Sequence, residues 1–227
     1  MKKTTPASTL DLDTLHLASG GHSSPDKGMC VMEAVAFMAK ESFSDHPACA
    51  CPVIAAVLRR WNDKLDDKKR QELKRYIVPL IGSKSTPEVE RSRKFVIVDW
   101  SLRIVTVHFL RDAKLNEHAE IIEALPEIKD MATFKAVRPQ IQAAREAARE
   151  ARRVSKNPAS LDYLASLASL DYLDSLDYLD SLDYLASLAS LASLDYLDYP
   201  DYLKKTRAGL LASAHKNLFA RMLAVKE

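Results

Sequence analysis

The sequence predicts an all-α protein: a compact helical head domain, then a tripeptide-repeat rod that is 3₁₀-like or else α-helical, then a C-terminal amphipathic helix. Three observations carry this. Apolar residues recur at i, i+3, i+4 and i+7 through much of residues 29–156, which is the helical period. Only five glycines occur in 227 residues, few for the glycine-dependent turns of a β-sandwich or barrel and for a Gly-rich phosphate loop. From Pro158 the chain switches to a strict period of three, which a strand, with its period of two, does not share.

The elements follow in order. Residues 1–8 read as a loose tail, and residues 9–17 alternate weakly, as in a short extended arm. Residues 19–28 are Ser, Gly, Pro and Asp-rich and form a loop. Residues 29–40 place Val31, Ala34, Val35 and Met38 on one helical face. Residues 42–47 break the pattern, and it resumes over 52–61 with Pro52 suited to a first-turn position. Residues 66–81 form a charged amphipathic helix that stops near Gly82. Pro87 opens a helix to about Leu110. Its stretch 95–109 is rich in Val and Ile, so a strand is the alternative there; helical neighbours and the lack of turn residues favour helix. Helices over 116–124 and 131–156 complete the head, which spans 9–157; with the loose tail, residues 1–157 carry a formal charge of +6.

Residues 158–202 are an array of 15 triplets without a slip in frame. The first position is Leu thirteen times and Pro twice, the second only Asp or Ala, the third only Tyr or Ser. Seven of the eight tyrosines lie here, with nine aspartates and no Lys or Arg. The array therefore carries −9 and the rest of the chain +11. A 3₁₀-helix has three residues per turn and would line up three straight stripes of Leu, Asp/Ala and Tyr/Ser. An α-helix advances 100° per residue, so the leucines would spiral once every six triplets. Disorder, a solenoid and a low-complexity insert made by repeat expansion are the remaining readings. A leucine stripe needs a surface to bury it, each Leu contributing about 1.5–3 kcal/mol. Basic partners flank the array: Lys135, Arg138, Arg145, Arg149, Arg152, Arg153 and Lys156 before it, and Lys204, Lys205, Arg207, Lys216, Arg221 and Lys226 after it. The tail 203–227 is amphipathic through Leu210, Leu211, Ala214, Leu218 and Met222 and is expected to cap the array.

Lys2 and Lys3 are not followed by the apolar run of a signal peptide, and no stretch has the ~18 apolar residues of a membrane span. Cys30, Cys49 and Cys51 are an odd set, so a disulfide framework is not expected. These features read as a cytoplasmic protein with reduced thiols and no membrane partner.

The most chemical stretch runs from His22 to Glu33 and from Ser44 to Pro52. Cys30 and Glu33 stand three apart, and His46, Cys49 and Cys51 share a Pro-bounded turn. Thiolate and imidazole at short spacing suit tetrahedral zinc, with Cys30, His46, Cys49 and Cys51 as the candidate ligands and His22 and Glu33 as weaker ones. The spacing H-x₂-C-x-C matches no standard finger. Two other readings stand beside it. Cys30 is a candidate nucleophile at a helix start, with His22 or His46 as base. Alternatively the thiols act as small apolar core groups and His46 bonds locally. His16, His108 and His118 are isolated, and Asp99 with Arg103 fits a helix ion pair.

The block GMCVMEAVAFMAKESFSDHPACACPVIAAVLRRWND, residues 28–63, resembles a segment of uncharacterised phage and bacterial proteins in which a GMCxMEAVA…SDHPxC head precedes short-period repeats rich in Ala, Ser, Tyr, Asp or Trp. The resemblance covers roughly residues 10–157 and the style of the array. It implies that head and array belong together, and it supplies no catalytic residues.

The function expected from these features is that of a non-enzymatic structural or interaction protein, a homo-oligomer that self-associates or docks a partner through the array. The alternatives are a Cys/His-dependent enzyme with the array as an oligomerisation tail, and a protein that contacts nucleic acid through the basic helix or mimics it with the Asp/Tyr array.

Overall fold

The structure is a computed structural model that describes residues 10–154, 209–210 and 212–226. The expectations for the array, for residues 1–8 and for the start of the tail lie outside the described residues. Among the described residues every named element is helical, and extended backbone pairs only at a single parallel bridge between Leu17 and Met29. The contacts divide the chain into two compact units, residues 1–84 and 85–227, where the sequence reading has one head over 9–157.

The first unit is built on α1 (Val31–Met38) and α2 (Pro52–Lys64). Both start where their residues dictate: α1 on a capping box, α2 on Pro52, whose missing N–H is an orphan at a first turn in any case. The expected helix over 66–81 is broken into three pieces: α3 (Asp67–Arg70), a 3₁₀ turn (Gln71–Tyr76) and α4 (Ile77–Leu80). Two causes are visible. The Gln71 side chain accepts from the Leu17 N–H at 2.8 Å and donates to the Leu17 carbonyl at 3.0 Å, tying this segment to the extended arm. Pro79 has no N–H to continue the ladder. Gly82, at φ +75°, then takes the left-handed position that ends a helix. Trp61, Leu58, Ile54, Leu73, Ile77 and Leu80 form the centre of this core, all fully buried.

In the second unit, α5 (Pro87–Asp99), a π-helical turn (Trp100–Val105) and α6 (Thr106–Asp112) make one continuous helical run. The strand alternative for 95–109 is thus resolved as helix. The middle of the run, from Phe95 to Leu110, is mostly apolar because it is mostly buried: Phe95, Ile97, Val98, Trp100, Leu102, Val105, Val107 and Phe109 are each in the core. Its Val and Ile content reflects that burial. The π turn closes with the Thr106 N–H on the Ser101 carbonyl, which also accepts the Thr106 hydroxyl at 3.0 Å. Then follow α7 (Asn116–Glu123) and α8 (Met131–Val154). Asp130 caps α8, accepting from the Thr133 N–H at 2.7 Å while its own N–H bonds the Thr133 hydroxyl at 3.0 Å. After the array the chain returns to the same unit as a second π-helical turn (Ala214–Phe219) and α9 (Ala220–Ala224). The sequence reading gives this tail the task of capping the array. The described contacts seat it on α5 and the first π turn.

Candidate functional site

The Cys/His stretch is where the sequence concentrates reactive groups, and its residues settle into distinct local tasks. Cys30 is the N-cap of α1. Its sulfur accepts the Glu33 N–H at 3.4 Å, and the Glu33 carboxylate accepts the Cys30 N–H at 2.7 Å, so the two residues form a reciprocal box. The other Glu33 oxygen accepts the His22 N–H at 2.6 Å, and the His22 ring donates from Nδ1 to Glu33 at 2.8 Å. One buried carboxylate therefore ties the 19–28 loop to the start of α1. Gly28 completes the cradle: at φ +119°, with a Cβ that would lie 2.9 Å from His22 Cδ2, only glycine fits. Asn62, fully buried on α2, bonds the Val31 N–H and the Ala18 carbonyl and fastens the same loop from below.

The electrostatics follow from this packing. Burial pushes the Cys30 thiol up to about 12, and the adjacent Glu33 charge adds to that. At neutral pH the group is a thiol with its sulfur turned to the backbone, the opposite of the lowered, accessible thiolate that attack requires. Burial also works against the Glu33 charge. The N–H groups of Cys30 and His22 and the His22 ring outweigh it and hold the carboxyl below its ordinary value. Next to this loop an open hollow of about 480 Å³ is bordered by Asp11, His16, Asp26, Met29 and Phe37.

The remaining candidate ligands serve the 42–52 turn. His46 is exposed and its Nδ1 donates to Asp45 at 2.6 Å. The Cys49 N–H and the Ala48 N–H both donate to Glu41, at 2.9 and 2.6 Å. Cys49 is half-buried and its thiol is shifted upward, chiefly by burial. Cys51 is buried as the N-cap of α2, with its N–H on the Ser83 hydroxyl at 2.9 Å. Among the described residues no three His, Cys, Asp or Glu side chains are grouped as a metal ion needs. The geometry thus does not gather Cys30, His46, Cys49 and Cys51 into one zinc centre. Glu41 and Ser83, which hold the turn, carried no sequence signal because the bonds they make are to main-chain N–H groups.

The second concentration of buried charge is Asp99, fully buried at the start of the first π turn. It accepts from Arg103 Nε at 2.6 Å, from the Ile128 N–H at 2.9 Å and from Arg221 Nη1 at 2.8 Å; Arg221 also pairs with Glu127. The expected Asp99–Arg103 helix pair is present, and the tail adds a second arginine to it.

No family model, no curated protein and no solved structure matches the chain.

Two substitutions separate the tasks of the box. Cys30→Ala removes the acceptor for the Glu33 N–H and is expected to lower stability by about 1 kcal/mol, whereas Cys30→Ser, a preferred cap, recovers most of it. Glu33→Ala strands three donors and is expected to cost about 2–3 kcal/mol. The lowered folded-state pKa of Glu33 means that its contribution is present above the ordinary Glu value of 4.5 and is lost as pH falls below it. Urea midpoints at pH 7 and pH 3 check this: the gap between the parent chain and Glu33→Gln should narrow at the lower pH.

Proposed function

We propose that the protein is a non-enzymatic structural or interaction protein that self-associates through its triplet array. The observation that carries this is the array itself: 15 triplets in one frame, with Leu at thirteen of the first positions and an uninterrupted acidic charge of −9 against +11 elsewhere. A stripe of this kind requires a partner surface, and a second array offers a matching one. The array is read as a 3₁₀-like rod over residues 161–199, with leucines on one edge. Thirty-nine residues would then span roughly 78 Å, against roughly 58 Å as an α-helix. The arrangement of the Cys/His stretch supports the non-enzymatic side of the reading, since Cys30 and Glu33 are engaged in holding backbone N–H groups and the His22 ring is engaged with Glu33.

Sedimentation of the full chain across concentration tests it. The expected result is a mass that rises above the 25.4 kDa of one chain. A mass fixed at one chain at every concentration would overturn the reading. Salt separates its two components. Exposed charge pairs are screened as the Debye length falls from about 10 Å at 0.1 M to about 3 Å at 1 M. Assembly that weakens over that range assigns a share to the pairing of the array with the basic segments. Assembly that holds assigns the association to the leucine stripe.

A further inference from the structure

We infer that one flank of α8 is a binding surface for the phosphate backbone of nucleic acid, engaged without regard to base sequence. The helix runs unbroken from Met131 to Val154 through Pro139. It buries Phe134, Val137, Ile141, Ala144 and Ala148, which share one face. All six of its basic residues, Lys135, Arg138, Arg145, Arg149, Arg152 and Arg153, lie beside that face on an arc about 100° wide, at 100° per residue. Within α8, between Lys135 and Arg153, the arc holds one further residue, Gln142. Lys135, Arg149, Arg152 and Arg153 are exposed, and Arg138 and Arg145 are half-buried along the edge of the buried face. Glu146 and Glu150, the acids of the helix, fall outside the arc. Their pairs with Arg149 at 3.4 Å and Arg153 at 2.6 Å are open to solvent, where such pairs are weak and a phosphate can replace them.

The make-up of the flank selects the partner. Five of the six cations are arginines, whose planar fork meets phosphate oxygens through two parallel bonds. The stripe from Lys135 to Arg153 is about 27 Å long. A duplex of that length presents about 16 phosphates, more than two for each cation. A tight protein interface draws on an apolar centre from which water is excluded. A membrane surface takes up a basic helix through large apolar residues beside the charges. The flank offers neither: Phe134, Val137 and Ile141 are buried in the core and Met131 is half-buried. The rival within the chain is the array. Its nine aspartates are spread over 45 residues and interrupted by uncharged Leu-Ala-Ser triplets, a sparser counterpart than a phosphate backbone.

The test measures binding of the full chain to a fluorescently labelled DNA duplex of mixed sequence, by anisotropy at about 0.05 M and about 0.2 M salt. Six phosphate contacts predict an affinity that falls about 10³-fold over that range. Arg149→Gln with Arg152→Gln removes two contacts at exposed positions. That variant should bind more weakly at the lower salt and then fall only about 10²-fold. Lys135→Gln with Arg153→Gln, at the other edge of the arc, gives a second reading of the same stripe. Lys68→Gln with Lys84→Gln removes the same charge from exposed positions of the first unit and should bind as the parent does. Equal losses in the stripe and control variants would reduce the effect to net charge and overturn the site. A duplex left unbound by the parent chain at the lower salt would also overturn it, and would leave the array's carboxylates as the counterpart of the stripe.

Discussion

Asp99→Ala is expected to lower the stability of the second unit by about 3–5 kcal/mol, the usual consequence of removing one member of a buried charge network. Asp99 has no exposed surface, while its partners Arg103 and Arg221 retain only part of theirs, at 21% and 30% of the side chain. Alanine would leave two guanidinium groups facing each other and the buried Ile128 N–H without its acceptor. Neither arginine can shed its proton to relieve this. Arg221→Met removes the remote arm alone and keeps the Arg103 pair, so its effect should be smaller, on the order of 1–2 kcal/mol. Urea unfolding measures both. A loss under 1 kcal/mol for Asp99→Ala would mean that the network contributes nothing beyond packing.

Phe219→Ala should be comparably severe, about 3–5 kcal/mol, because a fully buried aromatic leaves a cavity that the surrounding helices fill only in part. The residue lies in the second π turn and tilts against His215, with ring centroids 6.5 Å apart. The contrast variant deletes three LAS triplets, residues 185–193. It leaves every residue of the described core in the chain and is expected to leave the thermal transition of the second unit in place. If the tail served only to cap the array, the order would be reversed: the deletion would move the transition and Phe219→Ala would not.

The elements that the sequence made legible are those fixed by neighbours. Pro52 and Pro87 open helices and Gly82 closes one; the structure adds the caps at Asp66 and Thr86, through bonds three residues away. Helix in place of strand over 95–109 was legible from context, although composition argued the other way. What was not legible depends on distance along the chain. The Gln71 grip on Leu17 spans 54 residues, and the Arg221 bond to Asp99 spans 122. Nothing local marks either. The tail's apolar face was plain in Leu210, Ala214, Leu218 and Met222, but periodicity gives a face without giving what covers it. In the candidate site the spacing of Cys30 and Glu33 carried two meanings. It fits a ligand pair and equally the S/T-x-x-E capping box with sulfur in place of oxygen. The structure uses the second, and His22 joins it because Gly28 leaves room for the ring.

Sedimentation of two insertion variants beside the parent chain tests the central claim most directly. One extra residue at Leu182 turns the leucines that follow by about 120° on a rod of three residues per turn, whereas an added Leu-Ala-Ser triplet keeps them in line. The account predicts that the single insertion returns the protein toward the 25.4 kDa of one chain while the triplet insertion sediments as the parent does. Equal masses for the two variants would contradict it.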